Sequence, residues 1–102
     1  MQTLRFEVNG QNITKSANTD WDSLVRGAAG YTLAEFKLGE EWNKCKKAAI
    51  FQVHGEEISQ KITRGRCAVP DKAANAKHYY IRLVGKCNEY QITTGKAEVR
   101  QK

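Results

Sequence analysis

"YTLAEFKLGEEWNKCKKAAIFQVHGEEISQ", residues 31–60, is the stretch on which the fold turns. Tyr31 to Leu38 alternates, with Ala34, Phe36 and Leu38 on one face. Ala48 to Val53 alternates again, with Ala49, Phe51 and Val53 facing in and Ile50 also apolar. A period of two belongs to a strand, because successive side chains of an extended chain point to opposite sides. Glu40-Glu41-Trp42-Asn43 separates the two runs as a tight corner. His54-Gly55 then reverses the chain, and Ile58 and Ile62 sit on the inner face of the returning strand.

The same alternation extends in both directions. Leu4, Phe6 and Val8 alternate with Arg5 and Glu7 and are followed by Asn9-Gly10, a reverse-turn pair that tolerates positive φ. Residues 15–25 are polar and irregular, with Thr19-Asp20-Trp21-Asp22 suited to capping one helical turn. Gly27-Ala28-Ala29-Gly30 is small and lacks the lysine and helix of a phosphate loop; Gly30 permits the turn into the Tyr31 strand. Beyond residue 60, Arg64-Gly65-Arg66 breaks the strand and Cys67-Ala68-Val69 resumes it. Pro70 to Ala74 reads as a short helix with proline near its first turn. Tyr79 to Val84 is the most apolar strand and reads as central, with Gly85-Lys86-Cys87-Asn88 as its hairpin connection. Tyr90, Ile92 and Thr94 alternate on the return, Gly95-Lys96 marks a bend or bulge, and Ala97 to Arg100 is an edge strand.

These elements predict one all-β domain over residues 1–102: a single antiparallel β-sandwich, immunoglobulin-like, of seven to eight strands. A small closed β-barrel is the alternative. The 102 residues suffice for one core. No apolar run approaches the ~20 residues of a membrane span, and no signal peptide is visible. Without one, the Asn12-Ile13-Thr14 sequon reads as chance. Three scattered cysteines, Cys45, Cys67 and Cys87, read as free thiols of a reducing compartment rather than a disulfide framework.

The formal charge of +6, from 17 Lys+Arg against 11 Asp+Glu, bears on partners rather than on fold. It suits nucleic acid, an acidic protein surface or an anionic envelope. The basic residues are spread along the whole chain, which weakens the nucleic-acid reading.

Several constellations invite chemistry, and each has a structural counter-reading. Glu40 and Glu41 suggest an acid–base pair, but neighbours in an extended chain cannot flank one substrate atom. Trp42 reads instead as a plug sealing the end of the sandwich. His54 follows Cys45, and His78 follows Cys67, at spacings too long for a zinc knuckle, so no metal or cofactor is expected. A Cys–His nucleophilic pair remains open to the fold, though buried thiols more often serve as small hydrophobes. Lys77, His78, Tyr79, Tyr80 and Arg82 suggest a base-stacking platform, but alternation puts Tyr80 and Arg82 on one face and sends Tyr79 to the core. Exposed Trp21 offers a stacking surface for a sugar ring. No Gly-x-Ser-x-Gly elbow is present, and no enzyme activity is expected.

In their order, Asn9-Gly10-Gln11, Tyr31 to Leu38, Glu41-Trp42, Lys47 to Phe51, Cys67 to Pro70, Ile81 to Gly85 and Ile92-Thr93-Thr94 resemble the pattern of small β-sandwich proteins from phage and prophage structural gene clusters. The resemblance covers nearly the whole chain. It implies an accessory part of a tailed-phage virion: a head fibre, a capsid decoration, or a tail or baseplate piece. Many members carry a fibre-like segment after this domain; the sequence here stops at Lys102, so the expectation is a compact decoration or adaptor. The expected partners are capsid or tail subunits, with self-association in a symmetric assembly, no nucleic acid and no membrane. The expected location is the virion, assembled in the host cytoplasm. Lys44, Lys46 and Lys47, with Arg64 and Arg66, are the candidate contact residues toward an acidic neighbour; the resemblance also implies that Trp42 is the structural corner, with Glu40 and Glu41 solvated. A nucleic-acid-binding barrel and a carbohydrate-binding module are the competing functions.

Overall fold

Alternation sorts the apolar side chains onto the inner faces of two sheets, and the computed structural model describes this arrangement for residues 2–27 and 30–102. Ala28 and Ala29, the middle of the small-residue loop, lie outside the described residues. The first sheet contains β1 (Gln2–Asn9), β2 (Asn12–Lys15), β3 (Thr32–Leu38) and β6 (Arg66–Ala68), in the order β2-β1-β3-β6. The second contains β4 (Lys46–Val53), β5 (Glu56–Lys61), β7 (His78–Lys86), β8 (Gln91–Thr93) and β9 (Ala97–Arg100). Its order is β5-β4-β7-β8, with β9 also pairing β7. A short helix, α1 (Asp71–Ala74), starts directly after Pro70 as expected. The sheets do not close into a barrel, so the architecture is that of a small all-β sandwich with nine strands among the described residues.

Leu4, Phe6, Val8, Ala34 and Phe36 from one sheet meet Ala49, Phe51, Val53, Tyr79, Ile81, Leu83 and Val99 from the other in one core. Each large side chain so buried contributes roughly 1.5–3 kcal/mol of transfer free energy. Tyr79 points into this core and Tyr80 points out, as the alternation requires.

The sandwich is not wholly antiparallel. β1 and β3 pair in parallel, with Phe6 opposite Phe36 and Leu4 opposite Ala34. The reason is connectivity. β1 has already folded back on β2 through the Asn9-Gly10 turn, which fills one edge. The long segment after Lys15 then carries the chain back to the start of β1, where Gln2 N–H donates to the Tyr31 carbonyl, and β3 sets out along the other edge in the same direction. Alternation is the same for either direction, so the sequence pattern does not register it.

Two more expectations are corrected. Gly85 and Lys86 belong to β7 rather than to the hairpin connection, which is closed by Cys87 N–H donating to the Tyr90 carbonyl. The strands number nine among the described residues rather than seven to eight, and β2 is one the pattern did not show, being short and mostly exposed. The predicted bulge is present. β8 and β9 run along the same edge of β7, and the register slips by one residue between Val84↔Thr93 and Ile81↔Ala97. Thr94 bridges the slip. Its Oγ1 accepts the Leu83 N–H at 2.9 Å, and its own N–H donates to the Leu83 carbonyl. His54 and Gly55 both take positive φ (51° and 81°) in the β4–β5 turn, the backbone of a type I′ hairpin.

Candidate functional site: a lysine groove beside the tryptophan corner

The corner between the sheets is built around Trp42. Glu40–Trp42 form one 3-10 turn, and the Trp42 side chain is fully buried. Its Nε1 donates to the Gly10 carbonyl at 3.0 Å, tying the corner to the β1–β2 turn. The ring lies over Gly85, where a Cβ would stand 2.7 Å from a ring carbon, so β7 must lack a side chain there. Glu40 is exposed, as expected. Glu41 is not simply solvated: it is half-buried, and its carboxylate accepts the Gly10 N–H. The Tyr90 hydroxyl donates to the Glu41 carbonyl. Glu41 therefore holds the corner together, and the two acids serve different surroundings.

The cysteines depart from expectation. Cys45 and Cys87 form a disulfide across a separation of 42 residues. The sequence concealed this because the two meet only when β4 pairs with β7, which brings the corner beside the β7–β8 turn. Cys67 alone is free, buried between the sheets, and burial pushes its thiol up to about 12. His54 is exposed at a hairpin tip and His78 is exposed at the start of β7. No three His, Cys, Asp or Glu side chains cluster to hold a metal among the described residues.

Trp21, expected to be exposed, is half-buried, whereas Tyr80 stands on the outer face. The Trp21 ring packs against Phe6 with centroids 5.3 Å apart, its Nε1 donates to the Ser16 carbonyl, and the Lys15 ammonium lies 5.2 Å from its centroid. Tyr80 is 37% exposed, with Lys96 5.9 Å from its ring centroid and His78 edge-on. Beside it, Arg82 pairs with Glu57 at 2.8 Å and Arg100 with Glu98 at 3.0 Å.

One surface is different. At the end of the second sheet, nearest the disulfide, lies a groove of about 700 Å³. Its floor includes Ala48, Ile62, Val84 and Gly85, and Lys46, Lys47, Lys61 and Lys86 line it. β-pairing assembles it: Lys46 stands opposite Lys86, and Ala48 lies between Lys61 on one side and Val84 on the other. None of the four lysines has an ion-pair partner among the described residues, and no carboxylate lines the groove.

The predicted contact residues are thus divided. Lys46 and Lys47 line the groove. Lys44 lies in a neighbouring hollow with Glu40 and Glu89. Arg66 reaches Glu35 at 3.5 Å on the first sheet, where Arg5 also meets Glu35, and Arg64 sits in the exposed turn before β6. Lys61 and Lys86 were missed, since only the register of β4 with β5 and β7 brings them to Lys46. Comparison with family models, with curated proteins and with solved structures finds no match to this chain.

Proposed function

We propose that this protein is a non-enzymatic docking subunit of a tailed-phage virion, a capsid decoration, head-fibre-type subunit or tail or baseplate adaptor on an immunoglobulin-like sandwich. The observation that carries the docking function is the groove of four lysines without a carboxylate. Elsewhere five basic side chains, Arg5, Arg66, Lys72, Arg82 and Arg100, pair with carboxylates within the chain, at Glu35, Glu56, Glu57 and Glu98. A concave basic patch left uncompensated is complementary to an acidic surface and steers association toward it. The phage assignment draws on the ordered motifs from Asn9-Gly10-Gln11 to Ile92-Thr93-Thr94. The Cys45–Cys87 bond suits a particle that leaves the reducing cytoplasm after assembly. β9, at the edge of its sheet, offers short strand pairing between copies in a symmetric array.

Co-sedimentation with particles lacking this protein, at low and moderate salt, tests the proposal, with labelled single-stranded DNA as the control. Saturable binding to particles, weakened by salt and without DNA binding, is the expected result. DNA binding without particle binding would replace a virion part with a nucleic-acid module.

A further inference from the structure

We infer that the lysine groove receives an acidic peptide segment of a partner protein, with carboxylate side chains set among Lys46, Lys61 and Lys86. This rests on the docking function above and names the chemistry of what docks.

Lys46 and Lys86 are direct cross-strand partners. Like charges directly opposite each other in a sheet oppose folding, and here no carboxylate among the described residues relieves them. Local rules of sheet chemistry are broken mainly where function demands it. A bound carboxylate removes the repulsion, so the groove gains from an anion what the free protein lacks.

The lining selects the kind of anion. It contains no aromatic side chain and no arginine. Single-stranded nucleic acid is held by stacking on aromatic rings along a basic track, and no aromatic ring lines this groove. The floor of Ala48, Val84 and Gly85 is small and apolar, suited to methylenes of glutamate or to aliphatic neighbours. A second copy of this chain would bring a net charge of +6 toward the same lysines, so the occupant is a different, acidic chain. The Cys45–Cys87 bond fixes one wall by holding the start of β4 to the end of β7.

Fluorescence anisotropy separates the possibilities. The probes are a labelled peptide alternating Glu with Leu, the same peptide with Gln for Glu, and a single-stranded oligonucleotide of matched charge. The proteins are wild type, Lys46→Glu, Lys86→Glu and, as a surface control, Lys37→Glu. Each groove variant creates an opposite-charge cross-strand pair, so its melting temperature is expected to hold or rise. The Glu–Leu peptide is expected to bind wild type and the control alike, and each groove variant weaker by about tenfold or more. Equal binding of the Gln peptide, tighter binding of the oligonucleotide, or indifference to Lys46→Glu overturns the inference. If particles bind but the acidic peptide does not, the peptide inference fails and the docking function stands. If the peptide binds through Lys46 but particles do not, the groove assignment stands and the virion function fails.

Discussion

Gly85 carries no side chain because the Trp42 ring occupies the space that one would fill. Substituting Gly85→Ala forces a methyl to within 2.7 Å of that ring, in a closed core corner where Trp42 is also anchored to Gly10. Overpacking of this kind costs about 1–3 kcal/mol, to be measured as a lower urea midpoint with unchanged slope. Trp42 as a plug was legible from the sequence, since a tryptophan at a strand–strand corner has few other uses. Its partner Gly85 was not, because a glycine beside Lys-Cys-Asn resembles a turn residue when strand pairing is unknown. Cys67 yields a second residue-scale prediction. Burial raises its thiol from an ordinary 9.0 to about 12, so the folded state retains a proton that the unfolded chain releases. The Cys67 contribution to stability is fully present below about pH 9 and is lost as pH climbs toward 12. Urea titrations at neutral and alkaline pH are expected to show that loss, and Cys67→Ala to reduce its slope.

β7 is the element on which the second sheet depends. It pairs with β4 along one edge and with β8 and β9 along the other. The strand and its central place were visible in the apolar run Tyr79 to Val84, and the bulge opposite it in Gly95-Lys96. The repair of the bulge was not, because a threonine in a β-rich run is usually there for its branching. Thr94 instead uses its hydroxyl, which accepts the buried Leu83 N–H in place of a ladder carbonyl. Thr94→Val keeps the shape and removes the acceptor, and is expected to destabilise by about 1–3 kcal/mol, whereas Thr94→Ser retains most stability. Thermal melts of the two variants side by side check this. The parallel β1–β3 pair was illegible for a related reason. Side-chain alternation fixes which face a residue takes and is silent on strand direction.

At the scale of the whole molecule, the groove and the disulfide share one origin. Both exist because β4 and β7 bring residues from 45–48 beside residues from 84–87. The sequence displayed Lys46 and Lys47 as part of a basic run, but Lys61 and Lys86 join them only through register. That register is set by core packing of Phe51, Ile81 and Leu83, which says nothing about the lysines outside. Loop entropy across the 42-residue separation makes the Cys45–Cys87 bond worth about 4 kcal/mol. Reduction by a thiol is therefore expected to lower the melting temperature markedly, and a Cys45→Ser, Cys87→Ser double variant to match the reduced protein. Equal melting of oxidised and reduced forms would show that the unfolded chain is already restrained.

The covalent ring closed by Cys45 and Cys87 also sets how the protein yields to force. A pull applied at the two chain ends passes through the disulfide and bypasses β4 to β7, so these strands can lose their packing without being drawn out. The 42-residue separation withholds roughly 140–150 Å of contour from extension. Single-molecule stretching should release that hidden length only after reduction. In an oxidising setting the molecule is a short tether with a hard stop.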